Sequence, residues 1–146
     1  IKNYYEIIGA LESIAIIKAF DHLGKTEIDF MEQMNLEMKQ AIEADNFDLY
    51  YEKNLNFHNT YLEAAGNEKL RRIVNNLKKR LYDFPRPKGF VKEWEEASIG
   101  EHAQLIAYLR QGKREEAAKF IRDVHWSYEV QQKFIIKYYQ NISSGE

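Results

Sequence analysis

Three histidines lie within apolar faces of three separate predicted helices, and they are the side chains best suited to chemistry in this chain. They are His58, His102 and His125. A buried imidazole needs a hydrogen bond, a charge or a metal as its partner. Imidazole is a common ligand of zinc, nickel, copper and iron, and a helical bundle can bring such ligands together. The pattern therefore predicts either one metal site built from three rings or three separately hydrogen-bonded core histidines.

Asn54 belongs with these histidines because it lies four residues before His58, which places both side chains on one helical face. Its carbonyl oxygen would add a weak further ligand to a metal site. The fourth histidine, His22, comes at the end of the first predicted helix, where a partly charged imidazole suits the helix dipole. We interpret His22 as a structural residue.

Helices must position these residues, because apolar side chains recur at helical spacing in six segments. The segments span about 3–22, 26–44, 47–65, 67–83, 90–111 and 113–139. Predicted helix ends are marked by the N-caps Thr26, Asn46 and Asn67 and by Gly24, Gly66 and Gly112. No segment alternates with period two, as a half-buried strand would. The prediction is an all-α, antiparallel helical bundle.

Inward faces also follow from this spacing. The first helix is predicted to place Tyr5, Ile8, Leu11, Ile14, Ala15 and Lys18 on one face, and the second to place Ile28, Met31, Met34, Leu36 and Met38 likewise. In the fourth helix the stripe is Leu70, Ile73, Val74, Leu77 and Leu81. The basic residues around it are Arg71, Arg72, Lys78, Lys79, Arg80, Arg86 and Lys88. We expect these charges on a solvated face, although contact with a DNA-binding domain or with nucleic acid stays an alternative.

Length and composition restrict the function further. A chain of 146 residues predicts one domain with a sizeable core, and a net charge of -2 does not favour nucleic acid or an acidic membrane as partner. The absence of cysteine excludes disulfides and thiolate metal sites, and it fits a cytoplasmic location. No apolar run is long enough to span a bilayer, so no membrane partner is expected. Because the chain begins at Ile1 rather than Met, we interpret it as part of a longer protein.

Several short motifs in a fixed order resemble the FCD domain, the effector-binding C-terminal domain of GntR-family bacterial transcription regulators of the FadR branch. The motifs are Asn54-x-x-Phe57-His58, Ala64-Ala65-Gly66-Asn67-x-x-Leu70, Glu101-His102, Gly112 with Ala117-Ala118, and His125, after an opening similar over Tyr5–Glu12. The resemblance covers nearly the whole chain. It implies a bundle of six or seven helices over 1–146 that acts as one effector-binding and oligomerisation domain, with a homodimer as the expected assembly. It also implies that DNA is contacted only through a winged-helix domain that this chain lacks.

The family holds a divalent metal with one Asp and three His, and a small carboxylate effector binds beside that metal. By this resemblance His58, His102 and His125 are the metal histidines, and Asn54 stands where the family has Asp. An amide is a poorer ligand than a carboxylate and leaves one more positive charge on the site. Either the metal affinity falls or an effector carboxylate supplies the missing charge, and zinc or nickel suits the ligand types.

The effector site is less conventional, because Ile8 stands where many family members have an arginine suited to a carboxylate. Either the ligand is less acidic than in those members, or another residue such as Arg80 replaces that cation. The tyrosines near the helix faces could supply hydroxyl groups. The expected effector-binding residues are Ile8, Tyr51, Arg80 and Tyr128.

The preferred function is an effector sensor that controls an attached DNA-binding domain, and not an enzyme. A three-histidine metalloenzyme acting on a small organic acid would need an acid or base near the metal. Glu101 is adjacent to His102 in sequence, but consecutive helical residues do not share a face. No histidine has a glutamate three residues before it, as a di-iron bundle would require. The other alternative is a ligand-free helical dimerisation module, which no divalent metal would stabilise.

Overall fold

Seven α-helices, and no strand, make up the part of the chain that this computed structural model describes, residues 1–84 and 91–138. The helices are α1 (Lys2–Ala19), α2 (Lys25–Glu43), α3 (Phe47–Ala64), α4 (Glu68–Tyr82), α5 (Lys92–Arg110), α6 (Arg114–Phe120) and α7 (Tyr128–Tyr138). A 3-10 turn (Phe20–His22) follows α1, and a π-helical turn (Ile121–His125) follows α6. The all-α prediction is confirmed. None of these helices combines the length and the apolar character that a bilayer crossing needs.

Most of the predicted helix ends are confirmed. The side chains of Asn46 and Asn67 accept hydrogen bonds from the backbone N–H groups of Leu49 and Leu70, each at 3.1 Å. Gly66 and Gly112 have φ angles of 72° and 73°, which suit glycine in the left-handed region after a helix. The prediction that Thr26 caps the second helix is wrong, because α2 begins at Lys25 with Gly24 at the N-cap. The predicted break after α4 falls largely on residues outside the described ranges, as do Arg86 and Lys88.

The predicted single helix over 113–139 is also wrong. At its middle the backbone N–H of Trp126 donates to the carbonyl of Ile121 at 2.9 Å, five residues back, which is a π-helical bond. The chain then leaves the helix before α7 begins at Tyr128. The extra residue shifts the register of the following helix, in which Gln131 is buried and Gln132 is exposed.

A close approach to α1 accompanies this π turn. A Cβ atom added to Gly9 of α1 would lie 3.0 Å from the Cβ of Trp126, so only glycine lets the two segments pack this closely. The Trp126 ring also packs against Tyr5, with the ring centroids 5.1 Å apart. The π turn therefore faces α1, and His125 is carried with it into the bundle.

The helices pack around one main buried core. Helix α2 packs against α3 and α5, while α1 packs against α3, α4, α6 and the π turn. The inward faces of α1 and α2 are rotated from the prediction, because Ile14 and Leu36 are about half exposed and Glu12 and Asn35 are buried instead. Buried polar side chains are Glu12, Ser13, Asn35, His58, Lys78, Glu95, His102 and Gln131. Polar groups in a core need partners, so their contacts define the candidate site.

Candidate metal centre

The three predicted histidines converge. His58 comes from α3, His102 from α5 and His125 from the π turn, and one ring nitrogen of each lies within 4.8 Å of the others. The Nε2 atoms of His58 and His125 are 3.3 Å apart. Two nitrogens bound tetrahedrally to one zinc ion, each about 2.1 Å from it, would be about 3.4 Å apart. The spacing of this pair therefore fits a shared ion.

Two of the rings are oriented by carboxylates at their other nitrogen. The Nδ1 of His58 lies 3.0 Å from Oε1 of Glu12, and the Nδ1 of His125 lies 2.8 Å from Oε1 of Glu101. An ionised carboxylate only accepts hydrogen bonds, so both Nδ1 atoms carry a proton. The Nε2 atoms of the two rings therefore face each other on the side away from the carboxylates.

An amide orients the third ring in the same way. The Nδ1 of His102 lies 3.0 Å from Oδ1 of Asn35, whose Nδ2 donates to the carbonyl of Ile99 at 3.1 Å. Because Asn35 uses its amide nitrogen on Ile99, its oxygen must accept from His102. All three rings thus present Nε2 lone pairs to one space, which is the arrangement that partners at Nδ1 impose on metal-binding histidines.

This space has the polar lining that a cation site requires. The Nε2 of His102 and the Oδ1 of Asn54 are buried and have no hydrogen-bond partner among the described residues. Burial lowers the pKa of His58 to about 4 and the pKa of His102 well below its usual value. Protonation therefore does not satisfy these lone pairs at neutral pH, and unsatisfied buried acceptors are costly. Imidazole nitrogens are ligands that divalent zinc and nickel bind well, so this set of donor atoms fits either ion.

Glu12 is the centre of a buried network behind His58. Its Oε1 accepts from the Nε1 of Trp126 at 2.9 Å and from the Tyr61 hydroxyl, and its Oε2 lies 2.5 Å from the Nζ of Lys78. Burial raises the pKa of the Glu12 carboxyl, but His58 and Lys78 together outweigh burial and hold that pKa well below its usual value. The carboxylate is therefore ionised, as its role as acceptor from His58 requires.

Lys78 differs from the other residues of the predicted basic face. Arg72, Lys79 and Arg80 are exposed, as expected for a solvated face, but Lys78 is only 3% exposed. Its Nζ lies 5.6 Å from the centroid of the Trp126 ring. The prediction that all these charges are solvated is thus wrong for Lys78, which balances the charge of Glu12.

A cavity of about 80 Å³ lies beside the histidine cluster. Its lining includes His125 and Asn54 as well as Glu95 and Ser98 of α5. The remaining lining residues are Tyr5, Phe47, Tyr50, Leu81, Tyr82, Trp94, Trp126 and Tyr138. A small organic molecule or a few waters would fit a space of this size.

The four residues expected to bind an effector do not line this cavity. Ile8 is fully buried in the apolar core, and Arg80 is exposed on α4. Tyr51 packs against Tyr82 with tilted rings, whose centroids are 4.0 Å apart, and it lines a separate groove. Tyr128 lines a groove on the far side of Trp126. The structure therefore brings the three histidines and Asn54 to one region but not these four residues, and His22 stays apart in its exposed 3-10 turn.

The hydrogen-bond partners of the histidines were not identified from the sequence. The spacing of two of them, however, does indicate that they are buried. Glu12 lies four residues after Ile8, and Asn35 four after Met31, so each is a polar residue on an apolar stripe. Glu101 gave no such signal. It does not share the face of His102, as expected, but it contacts His125 of the neighbouring π turn instead.

An all-α bundle with a buried three-histidine cluster and an adjoining cavity belongs to the class of helical ligand-binding domains. The family model described as the FCD domain matches residues 3–124, and the chain belongs to that family. FCD domains are ligand-binding domains of transcription regulators and not a family of enzymes. Neither a curated protein nor a solved structure matches the chain.

Proposed function

We propose that this chain is the effector-sensing domain of a GntR-family transcription regulator, in which a bound divalent metal anchors a small organic acid. His58, His102 and His125 would hold the ion through Nε2, with Asn54 as a fourth or outer ligand. The observation that carries this proposal is the orientation of the rings, because each Nδ1 has its own acceptor and each Nε2 is directed to the same space. Family membership supplies the regulatory role.

The neutral ligand set favours an anionic effector. Three neutral imidazoles and one amide leave the full charge of a divalent ion uncompensated, whereas an aspartate in place of Asn54 would cancel part of it. The ion, when bound, supplies positive charge for a carboxylate. The cavity lined by Asn54 and His125 is where such an acid would enter.

The position of the histidine cluster next to α1 would allow effector binding to regulate an attached DNA-binding domain. Helix α1 provides Glu12 to His58, and α1 is the first helix of the chain. A winged-helix domain joined before α1 would therefore be connected to the site through one rigid element. Effector binding that shifts α1 relative to α3 and α5 would change the placement of that domain, with a coupling free energy of about 1 to 3 kcal/mol. We place such a regulator in the cytoplasm, as a homodimer that contacts DNA through the added domain.

Zinc addition to metal-free protein tests this function. We expect zinc at 100 times its Kd to raise the free energy of unfolding by about 2.7 kcal/mol, because only the folded state brings the three Nε2 atoms together. For a domain of this size the midpoint temperature would rise by about 5 to 10 °C. Thermal unfolding with and without zinc measures the shift, and a small carboxylic acid should raise it again.

Two results would favour the other functions. No thermal shift with zinc or with nickel would support a ligand-free dimerisation module. Turnover of a small organic acid by the zinc-loaded protein would support a metalloenzyme.

Asn54→Asp is expected to tighten zinc binding and to weaken binding of a small carboxylate. The added negative charge improves the ligand and removes the charge that the effector would otherwise neutralise. We expect a change on the order of tenfold in each affinity, in opposite directions. Competition with a chromophoric chelator measures the zinc affinity, and calorimetry measures the carboxylate affinity.

Asn56→Asp is the matched control, because it adds the same charge to α3 at a position rotated by about 200° around the helix. Equal effects of the two substitutions would mean that general charge, and not a contact with the ion, sets the affinity.

A further inference from the structure

Glu95 is a buried acid with no assigned partner for one of its oxygens. It lies near the start of α5, is 7% exposed and lines the cavity beside the histidine cluster. Its Oε2 is buried and makes no hydrogen bond to any described residue. The N–H groups of Val91 and Glu95 itself stabilise the carboxylate from the helix N-terminus, but they leave Oε2 unsatisfied. Because Glu95 lines the cavity, we expect a bound ligand to supply the partner that this buried carboxyl oxygen lacks.

Aromatic rings form most of the remaining wall. Seven of the lining residues are aromatic, namely Tyr5, Phe47, Tyr50, Tyr82, Trp94, Trp126 and Tyr138. Among the described residues that line the cavity, none is an arginine or a lysine. The faces of aromatic rings attract cations, because the ring face carries the negative part of its quadrupole. This wall therefore suits an ammonium group better than an anion.

The state of Glu95 agrees with such a partner. Burial raises the pKa of its carboxyl to about 8, so without a ligand the group is mainly neutral at pH 7. An ammonium group placed beside it favours the ionised form and supplies the hydrogen bond that Oε2 lacks. Tyr50 of α3 and Tyr138 of α7 line the same cavity, and Ser98 lies one turn further along α5. Burial raises the pKa of the Tyr50 hydroxyl, so that group stays neutral at this pH.

The distance along α5 sets the length of the ligand. Glu95 precedes His102 by seven residues, which is two helical turns or about 10 Å along the axis. His125 and Asn54, at the metal end, line the same cavity as Glu95. A molecule that reaches both ends must carry its two polar groups at opposite ends of a short apolar chain.

We propose that the effector is an ω-amino carboxylic acid, whose carboxylate binds at the histidine-held metal and whose ammonium group pairs with Glu95 inside the aromatic wall. This inference rests on the proposed function, since the metal anchors the carboxylate. It assigns Glu95 as the residue that selects an amino acid over a simple or a doubly acidic carboxylate.

Calorimetry on the zinc-loaded chain tests the inference with matched pairs of acids. The pairs are 4-aminobutanoate with pentanoate and 5-aminopentanoate with hexanoate, in which a methyl group replaces the ammonium group, and glutarate is the diacid. We expect at least one amino acid to bind about tenfold or more tightly than its methyl partner and than glutarate, as a charge-assisted hydrogen bond would provide. Glu95→Gln should remove this preference and leave the affinity for the alkanoate within about twofold.

The native chain decides the outcome even if the variant folds poorly. If the alkanoates or glutarate bind as tightly as the amino acids, or if no acid binds to zinc-loaded protein, the inference is overturned. If Glu95→Gln is folded and keeps the preference, Glu95 is not the selecting residue and the inference fails. Absence of bound zinc in the native chain is a different result, because it overturns the proposed function as well.

Discussion

His102→Ala should abolish stoichiometric binding of zinc. The Nε2 of His102 is buried and has no hydrogen-bond partner in the described part of the chain, so truncation of this ring removes a lone pair that is available to an ion. Two imidazoles and an amide would remain, which is a poor set for a site that needs three or four strong ligands. Elemental analysis of the purified variant after zinc loading and removal of free metal measures the stoichiometry. We expect about one ion per native chain and close to none per variant chain.

His22→Ala is the control for this experiment, because His22 is exposed in the 3-10 turn after α1 and is remote from the cluster. It should bind zinc like the native chain. Truncation of a buried ring also opens a cavity and lowers stability, so the metal content of His102→Ala must be measured on protein shown to be folded by circular dichroism. Full zinc content in that folded variant would contradict the role of His102.

The convergence of the histidines was predictable because each one interrupts an apolar stripe. A helix buries its stripe, so a polar residue inside the stripe is carried to the core whatever its partners are. Asn46 and Asn67 were predictable for a local reason, since an N-cap bonds to a backbone group three residues away. In both cases the information lies within a few residues of the chain.

The partners of the histidines depend on contacts between distant segments. Glu12 and His58 are 46 residues apart, and His125 and Glu101 come from adjacent segments whose faces could not be matched from spacing. The π turn was missed because its sequence has ordinary helical periodicity, and its extra residue allows Trp126 to pack at Gly9. Ile8, Tyr51, Arg80 and Tyr128 do not line the cavity beside the histidines, and their role in effector binding stays a prediction.

Lys78 shows how residue type can mislead. Val74, Lys78 and Leu81 are spaced by four and three residues, so Lys78 lies on the buried stripe of α4 by position. Lysine is almost never fully buried unless it is paired, and its partner, Glu12, lies on another helix. The spacing of Lys78 on α4 indicated a buried side chain, while its charge indicated an exposed one. Only the ion pair with Glu12, which lies on another helix, decides between the two.

Lys78→Met should destabilise the protein by about 3 to 5 kcal/mol, because it leaves the Glu12 carboxylate buried without its cation. Methionine keeps much of the volume of lysine, so little of the loss would come from a cavity. The midpoint of thermal unfolding should fall by about 10 °C or more. Denaturant unfolding of the metal-free protein at neutral pH measures the change in free energy.

The pH dependence should change in a defined direction. The pKa of Glu12 is lowered in the folded native chain, so its ionised form adds stability at neutral pH that is lost as the pH falls below the usual carboxyl pKa. Without Lys78 this lowering is weaker. The unfolding free energy of Lys78→Met should therefore fall less steeply than that of the native chain as the pH is lowered into the acid range.

Two further variants separate the ion pair from general effects of charge. Lys79→Met removes a neighbouring exposed charge and should change the free energy of unfolding by less than about 0.5 kcal/mol. The double variant Glu12→Gln with Lys78→Met removes both charges and should recover much of the lost stability, since a neutral amide tolerates burial better than an unpaired carboxylate. Equal losses in Lys78→Met and Lys79→Met would show that the Glu12–Lys78 pair does not stabilise the site. Recovery in the double variant, with weaker zinc binding, would show instead that the charge of Glu12 acts on the metal through His58.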